Sequence, residues 1–222
     1  MPKLVWDKIG ERLFETGVNQ GVLYPLNTTT NEYDTAVAWN GIVSVGEEPS
    51  GAEPSPQYAD NIKYLNLMSA EDFGATIECF SYPEEFEECD GSRALAKGAI
   101  VTQQPRKTFG FSYKTLIGND VVGTEYGYKL HLVYGCLASP SSKTRSTVNE
   151  SPEAATLSYT LTTTPVSVKD MKPTAHVIID STKTDPAKLA SLEEILYGND
   201  TDEARLPLPD EVATVLGVAI GG

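Results

Sequence analysis

The sequence predicts a mainly β protein. Three observations carry that expectation. Short runs rich in β-branched and aromatic residues recur, with apolar and polar positions alternating: ATIECFSY (75–82), KTFGFSYKTL (107–116), YKLHLVYGCL (128–137) and AATLSYTLTTTPVSV (154–168). The connections between them are long and built of Gly, Pro, Ser, Asn and Asp, the residues of turns. Convincing helix signals occur at only two places, so the strand–helix alternation that builds a parallel sheet is absent. No repeat of 20–50 residues is visible either.

Residues 1–20 read as an N-terminal arm. Lys8 to Phe14 could form a helical turn, but Gly10 and Gly17 weaken it. A short apolar run, GVLYP, ends at Pro25, and residues 27–34 are turn-like. Ala36 to Val45 reads as one strand with Val37, Trp39, Val43 and Val45 on one face and a bulge at Gly41. Residues 46–57 (GEEPSGAEPSPQ) read as the clearest loop: three prolines, two glycines, three glutamates and no large apolar residue. A loop of that length is usually functional or mobile, and two readings stay open: a mobile surface loop, or an arm reaching a neighbouring subunit with Glu47, Glu48, Pro49, Glu53, Pro54 and Pro56 as its contacts.

The stretch from Tyr58 to Gly91 reads as strand, acidic turn, strand and short helix. Pro83 suits a first helical turn, where its missing N–H is not needed. Tyr82, Phe86 and Cys89 mark an apolar face, Glu84, Glu85, Glu87 and Glu88 an acidic one, and Gly91 a stop. From Glu71 to Asp90 there are eight acidic residues and no Lys or Arg.

Ala99 to Gln103 reads as a strand. Lys107–Leu116 and Tyr128–Leu137 read as a hairpin, with Phe109, Phe111 and Tyr113 alternating on the first strand and Tyr128, Leu130, Leu132 and Tyr134 on the second. Residues 138–150 form a second long polar loop. Leu157, Tyr159 and Leu161 alternate until Pro165 ends the strand, and Ala175–Asp180 is a short buried strand. The best helix follows, with Asp185 as N-cap, Pro186 at N1, a stripe of Leu189, Leu192, Ile195 and Leu196, and Gly198 at the C-terminus. Residues 199–222 are expected as an acidic, partly disordered extension with a short helix over 209–216.

The 222 residues, 40% of them hydrophobic, suffice for one large or two small domains, and one all-β domain of this length is ordinary. No run of 18 apolar residues could span a membrane, and the charged N-terminus lacks the apolar region of a secretory signal. The formal charge is −14, and no cluster of three or more Lys or Arg occurs. That pattern argues against a nucleic-acid binder, which needs a basic patch for phosphates. Cys79, Cys89 and Cys136 have no CxxC spacing and read as small buried hydrophobes.

Chemistry is hard to find. The only histidines, His131 and His176, read as separate structural strand residues; nothing in their spacing pairs them, and no zinc site is expected without cysteine partners. No HExxH, EF-hand, GxSxG or P-loop motif occurs. The carboxylates of residues 84–88 look solvated, whereas an acid–base dyad needs burial to separate its pKa values. An enzyme is therefore not expected, nor a catalytic residue, cofactor or metal.

Five segments are informative as words: NGIVSVGEEPSGAEPSPQYADNIKYLNL, FGATIECFSYPEEFEECDG, GYKLHLVYGCLA, TVNESPEAATLSYTLTTTPV and PTAHVIIDSTK. In order and spacing they resemble the major tail proteins of long-tailed, non-contractile bacteriophages, the branch of phages and prophages of Gram-positive bacteria. The resemblance spans residues 1 to about 198. It implies a tail-tube β-sandwich or barrel of two roughly orthogonal antiparallel sheets with a flanking helix. It implies a virion protein made in the bacterial host cytoplasm, six copies to a ring, rings stacked into the tube through which DNA is ejected. It also implies tape-measure, tail-terminator and distal tail proteins as partners, and no catalytic site.

The acidity then acquires a reason. DNA carries about one charge per 1.7 Å of axis, and a conduit must not bind it. Repulsion of about 1 kcal/mol per charge pair at 4 Å in water, screened within about 8–10 Å, prevents sticking without blocking passage. Glu78 is the first lumen candidate, followed by Asp60, Glu71 and Asp72. Two other readings stay open: a phage accessory tail or receptor- or carbohydrate-binding β-sandwich, and an enzyme with an unrecognised acidic site.

Overall fold

A computed structural model describes residues 3–33, 35–145, 147 and 154–218. The chain enters with β1 (Leu13–Pro25) and turns through β2 (Val37–Trp39) and β3 (Ile42–Glu47). It then leaves the body of the protein: β4 (Ser50–Gly51) and β5 (Pro54–Ala59) run outward, and β6 (Ile62–Met68) and β7 (Glu71–Asp72) return. β8 (Gly74–Cys79) re-enters the body and leads to the one-turn helix α1 (Phe86–Cys89). A small ribbon, β9 (Arg93–Ala96) with β10 (Ala99–Val101), precedes the long hairpin of β11 (Phe109–Asn119) and β12 (Gly123–Ala138). β13 (Leu157–Thr163), β14 (His176–Asp180), α2 (Pro186–Tyr197) and α3 (Pro209–Val215) complete the chain.

The fold is mainly β, as expected. It is built on one continuous antiparallel sheet, in the order β2-β1-β11-β12-β13-β8-β3, with β14 also on β12. The physical device that lets one sheet serve two cores is the shared edge of β12. Residues Lys129–Val133 pair with β14, and Cys136–Ala138 pair with β13. The division falls at Gly135, where a register shift against β11 adds a residue. Gly135 has φ +59°, and a Cβ there would lie 2.3 Å from the Thr164 carbonyl oxygen. Only glycine meets both demands.

Alternation along β12 distributes the two cores. Leu130, Leu132 and Tyr134 face Leu189, Leu192 and Leu196 of α2, with Leu206 and Val212 beside them. His131, Val133 and Cys136 face the other way; Val133 and Cys136 join Phe111, Tyr113, Trp39, Ile77, Phe86 and Tyr159. Trp39 and Phe86 pack at 4.5 Å between ring centroids, and Phe86 and Tyr159 at 4.8 Å. Helix α2 carries its expected cap: Asp185 accepts from the Ala187 and Lys188 amides at 3.0 and 3.2 Å, and Gly198 ends it at φ +78°. In and just before α1, Phe86 and Cys89 are buried, Glu84, Glu85 and Glu88 are exposed and Glu87 is half-buried.

Four expectations are corrected. Residues 13–19 are not a free arm: they pair with β11 from Leu13↔Asn119 to Asn19↔Lys114. Two register shifts, beside Gly17 (φ +66°) and Gln20 (φ +50°), destroy the alternation that would have revealed the strand. Residues 36–45 are two strands rather than one. The chain turns at Gly41 (φ +79°), so Trp39 is buried while Val43 is exposed. Residues 46–57 are not a loop but the outgoing half of a β-hairpin. The segment beyond Gly198, expected as a partly disordered extension with a short helix, forms that helix as α3 and buries Leu206 and Val212 in the helix-side core, where the Leu206 amide donates to the Tyr33 carbonyl at 3.1 Å. Residues 146 and 148–150 of the second expected loop lie outside the described residues.

Candidate assembly surface

The outward excursion is one ladder from root to tip. Glu47 pairs with Ala75, the Glu48 amide donates to Gly74 O (2.8 Å), Ser50 and Gly51 pair with Asp72 and Glu71, and the Ala52 amide donates to Ala70 O (3.2 Å). Pro54 to Ala59 then pair with Met68 to Ile62. Asp60 and Asn61, with φ +50° and +62°, form the two-residue turn. At about 3.3 Å per residue the contour from Glu48 to Ala59 is about 40 Å. Pro54 and Pro56 fit this strand because they sit two apart, with their nitrogens directed away from β6, so no ladder hydrogen bond is lost.

Every residue from Gly46 to Asp72 except Ala52 is exposed, yet the outer part of the arm is apolar. Ser55, Gln57, Leu65 and Leu67 share one face, and Pro54, Pro56, Asn66 and Met68 the other. Tyr58 and Tyr64 are 71% and 68% exposed near the tip, beside Ile62. Asp60 and Lys63 are the charged residues between Pro54 and Met68. A lone two-stranded hairpin is marginal in water, and exposed apolar surface of this kind marks an interaction site. A second apolar zone lies at the start of the chain. Trp6, Ile9, Leu13 and Phe14 are exposed there with Val121 and Val122 of the β11–β12 turn. The Gly10 amide donates to Asp120 Oδ1 (2.9 Å) and Asn119 Nδ2 to Gly10 O (3.2 Å), holding the two segments together.

The four lumen candidates do not share one surface. Asp60 is the arm's tip, and Glu71 and Asp72 lie on its return strand near the root. Glu78 belongs to the body. Around it, the outer face of β3, β8 and β13 pairs Ser44 and Ser158 with Glu78, Gly46 and Thr160 with Thr76, and Thr162 with Gly74. Ser44 Oγ donates to the Glu78 carboxylate at 2.8 Å. This is a surface of hydroxyls and glycines with one carboxylate and no cation. Of the six expected loop contacts, Glu48, Pro49, Glu53, Pro54 and Pro56 lie along the outgoing strand. Glu47 turns back to the body, where Tyr113 Oη donates to it at 2.8 Å.

The histidines, expected to be unrelated, are neighbours. β14 pairs with β12 so that His176 lies diagonal to His131. Their nitrogens, His131 Nδ1 and His176 Nε2, are 3.1 Å apart. Burial, and secondly the nearby His176, pushes the His131 imidazole down to about 4; burial also lowers His176. Only the pairing of β14 with β12, invisible to spacing rules, brings them together. No helix among the described residues is long and apolar enough to cross a membrane. Comparison with protein-family models and with curated proteins gave no match.

Proposed function

We propose that this chain is a structural subunit that assembles with copies of itself, and that the assembly is the tail tube of a long-tailed phage. The observation that carries the self-assembly reading is the arm: about 40 Å of hairpin with apolar residues on both faces and little charge. A hairpin apolar on both sides is suited to lying between two other surfaces. A second copy offers one in the apolar zone around Trp6, Phe14 and Val121. Contact between two different patches is heterologous, and it generates rings or filaments rather than closed pairs. The tube reading adds the resemblance of the five segments quoted above. It also draws on the smooth hydroxyl face around Glu78, which suits a wall that DNA slides past. Ring formation would also cover the outer edges of β2 and β3, the two ends of the sheet path. In this reading the chain has no catalytic role.

The test is negative-stain electron microscopy of the purified protein over a concentration series. Rings or hollow tubes with a channel a few nanometres wide are the expected result. Small globular particles at every concentration, also after addition of a preformed tail-initiator complex, would overturn it in favour of a binding module.

A further inference from the structure

We propose that Glu47, His131 and His176 form a binding site for one zinc-class divalent cation at the root of the arm. Three strands bring them together: Glu47 ends β3, His131 lies in β12 and His176 opens β14. One ligand atom from each lies within 4.8 Å of the other two. His131 Nδ1 is 3.1 Å from His176 Nε2 and 3.4 Å from Glu47 Oε1. A tetrahedral ion with bonds of about 2.0–2.1 Å separates its ligands by about 3.3–3.4 Å. The preformed spacings are close to that, and Glu47, whose side chain is 40% exposed, can swing to close the third edge.

The hydrogen bonds around the site determine which lone pairs face it. Lys129 and Thr115 both donate to the Glu15 carboxylate, Thr115 Oγ1 at 2.8 Å. The single hydroxyl proton of Thr115 is thereby committed. Its oxygen, 3.1 Å from His131 Nε2, must accept, so Nε2 carries the imidazole proton and Nδ1 is bare. A carboxylate, a hydroxyl and an imidazole in series is the orienting arrangement seen behind metal-bound histidines. The bare Nδ1 faces both the Glu47 carboxylate and His176. A proton on His176 Nε2 satisfies one of these contacts and leaves Nδ1 and Glu47 Oε1 as two acceptors face to face. A cation satisfies all three lone pairs at once.

The rings are also held in place. Tyr113 stacks on His131 at 4.4 Å and 7° between planes, and Phe73 lies 4.4 Å from His176. Two imidazoles and one carboxylate select a borderline dication such as Zn2+ over Ca2+ or Mg2+, with water completing the shell on the open Glu47 side. Both sides of the arm's root are involved, Glu47 at the end of β3 as ligand and Phe73, between β7 and β8, as wall. The ion would therefore fix where the arm leaves the body. The site does not rest on the tube reading.

Only two histidines exist in the chain, so the test is clean. Tag-free protein, stripped with chelator and dialysed, is titrated with Zn2+ and with Co2+. Expected are one equivalent bound by calorimetry, visible absorption bands from Co2+, and perturbation of the His131 Nδ1 and His176 Nε2 nitrogen signals by NMR. His176→Gln and Glu47→Gln should each weaken binding by tenfold or more. Thr115→Val, which touches no ligand position, should weaken it roughly 10–100-fold by releasing the tautomer. Absence of saturable one-equivalent binding by the unaltered protein overturns the proposal. So does binding that leaves both imidazoles unperturbed, or unchanged affinity in folded His176→Gln.

Discussion

Replacing Leu65 and Leu67 together by serine isolates the arm's contribution to assembly. Both residues sit on the same face, 40% and 57% exposed, and neither belongs to a core. In the free subunit the change removes no buried contact. Stability should therefore move by no more than about 0.5 kcal/mol, a Tm shift of about 1–2 °C for a chain of this size. In an assembly that buries the arm, the area withheld from water is about that of one whole leucine side chain, about 1.5–3 kcal/mol per subunit added. At about 1.4 kcal/mol per decade, the critical concentration for assembly should rise roughly 10- to 100-fold. Sedimentation or light scattering over a dilution series measures it, with circular dichroism to verify the fold. A critical concentration within threefold of the unaltered protein would refute the role given to this face.

Three further outcomes are expected. Gly135→Ala should destabilise the fold by about 2–4 kcal/mol, since it adds left-handed strain and a methyl group 2.3 Å from the Thr164 carbonyl; an unchanged urea midpoint would contradict the shared-edge account. Stability should be flat from pH 7 to 8.5 and fall above about 9. Burial pushes the Cys89 thiol up to about 12 and holds Cys136 and the phenols of Tyr24, Tyr113 and Tyr134 above their usual range. The unfolded chain releases those protons first, so each buried thiol costs about 1.4 kcal/mol per pH unit above 9, read from urea midpoints. On the proposed tube reading, Glu78→Lys should leave assembly intact but make the assembly retain DNA in a salt-dependent way; no retention would count against Glu78 as a wall residue.

The elements that were legible in the sequence are those in which local chemistry and tertiary environment agree. The 107–137 hairpin announced itself because one face of each strand is aromatic or aliphatic throughout, and that face is buried. The helix after Asp185 had its cap, its proline and its stripe. β1 was hidden because its bulges break the period of two. The arm was hidden for a different reason. It has no buried face within one subunit, so neither burial nor alternation marks it, and its prolines imitate a loop. The pairing of His131 with His176 depends on two strands 45 residues apart meeting on one edge of β12, which no spacing rule contains.

The two prolines of β5 have a consequence for the chain on its own. An apolar hairpin standing free in solution is a template on which strands of any origin could grow. Pro54 and Pro56 remove the outward N–H groups from one margin of that template, so a stray strand meets acceptors without donors there. The β6 margin keeps its donors. The arm can therefore be joined by backbone pairing from one side only, which limits promiscuous sheet growth and gives any ordered growth a direction.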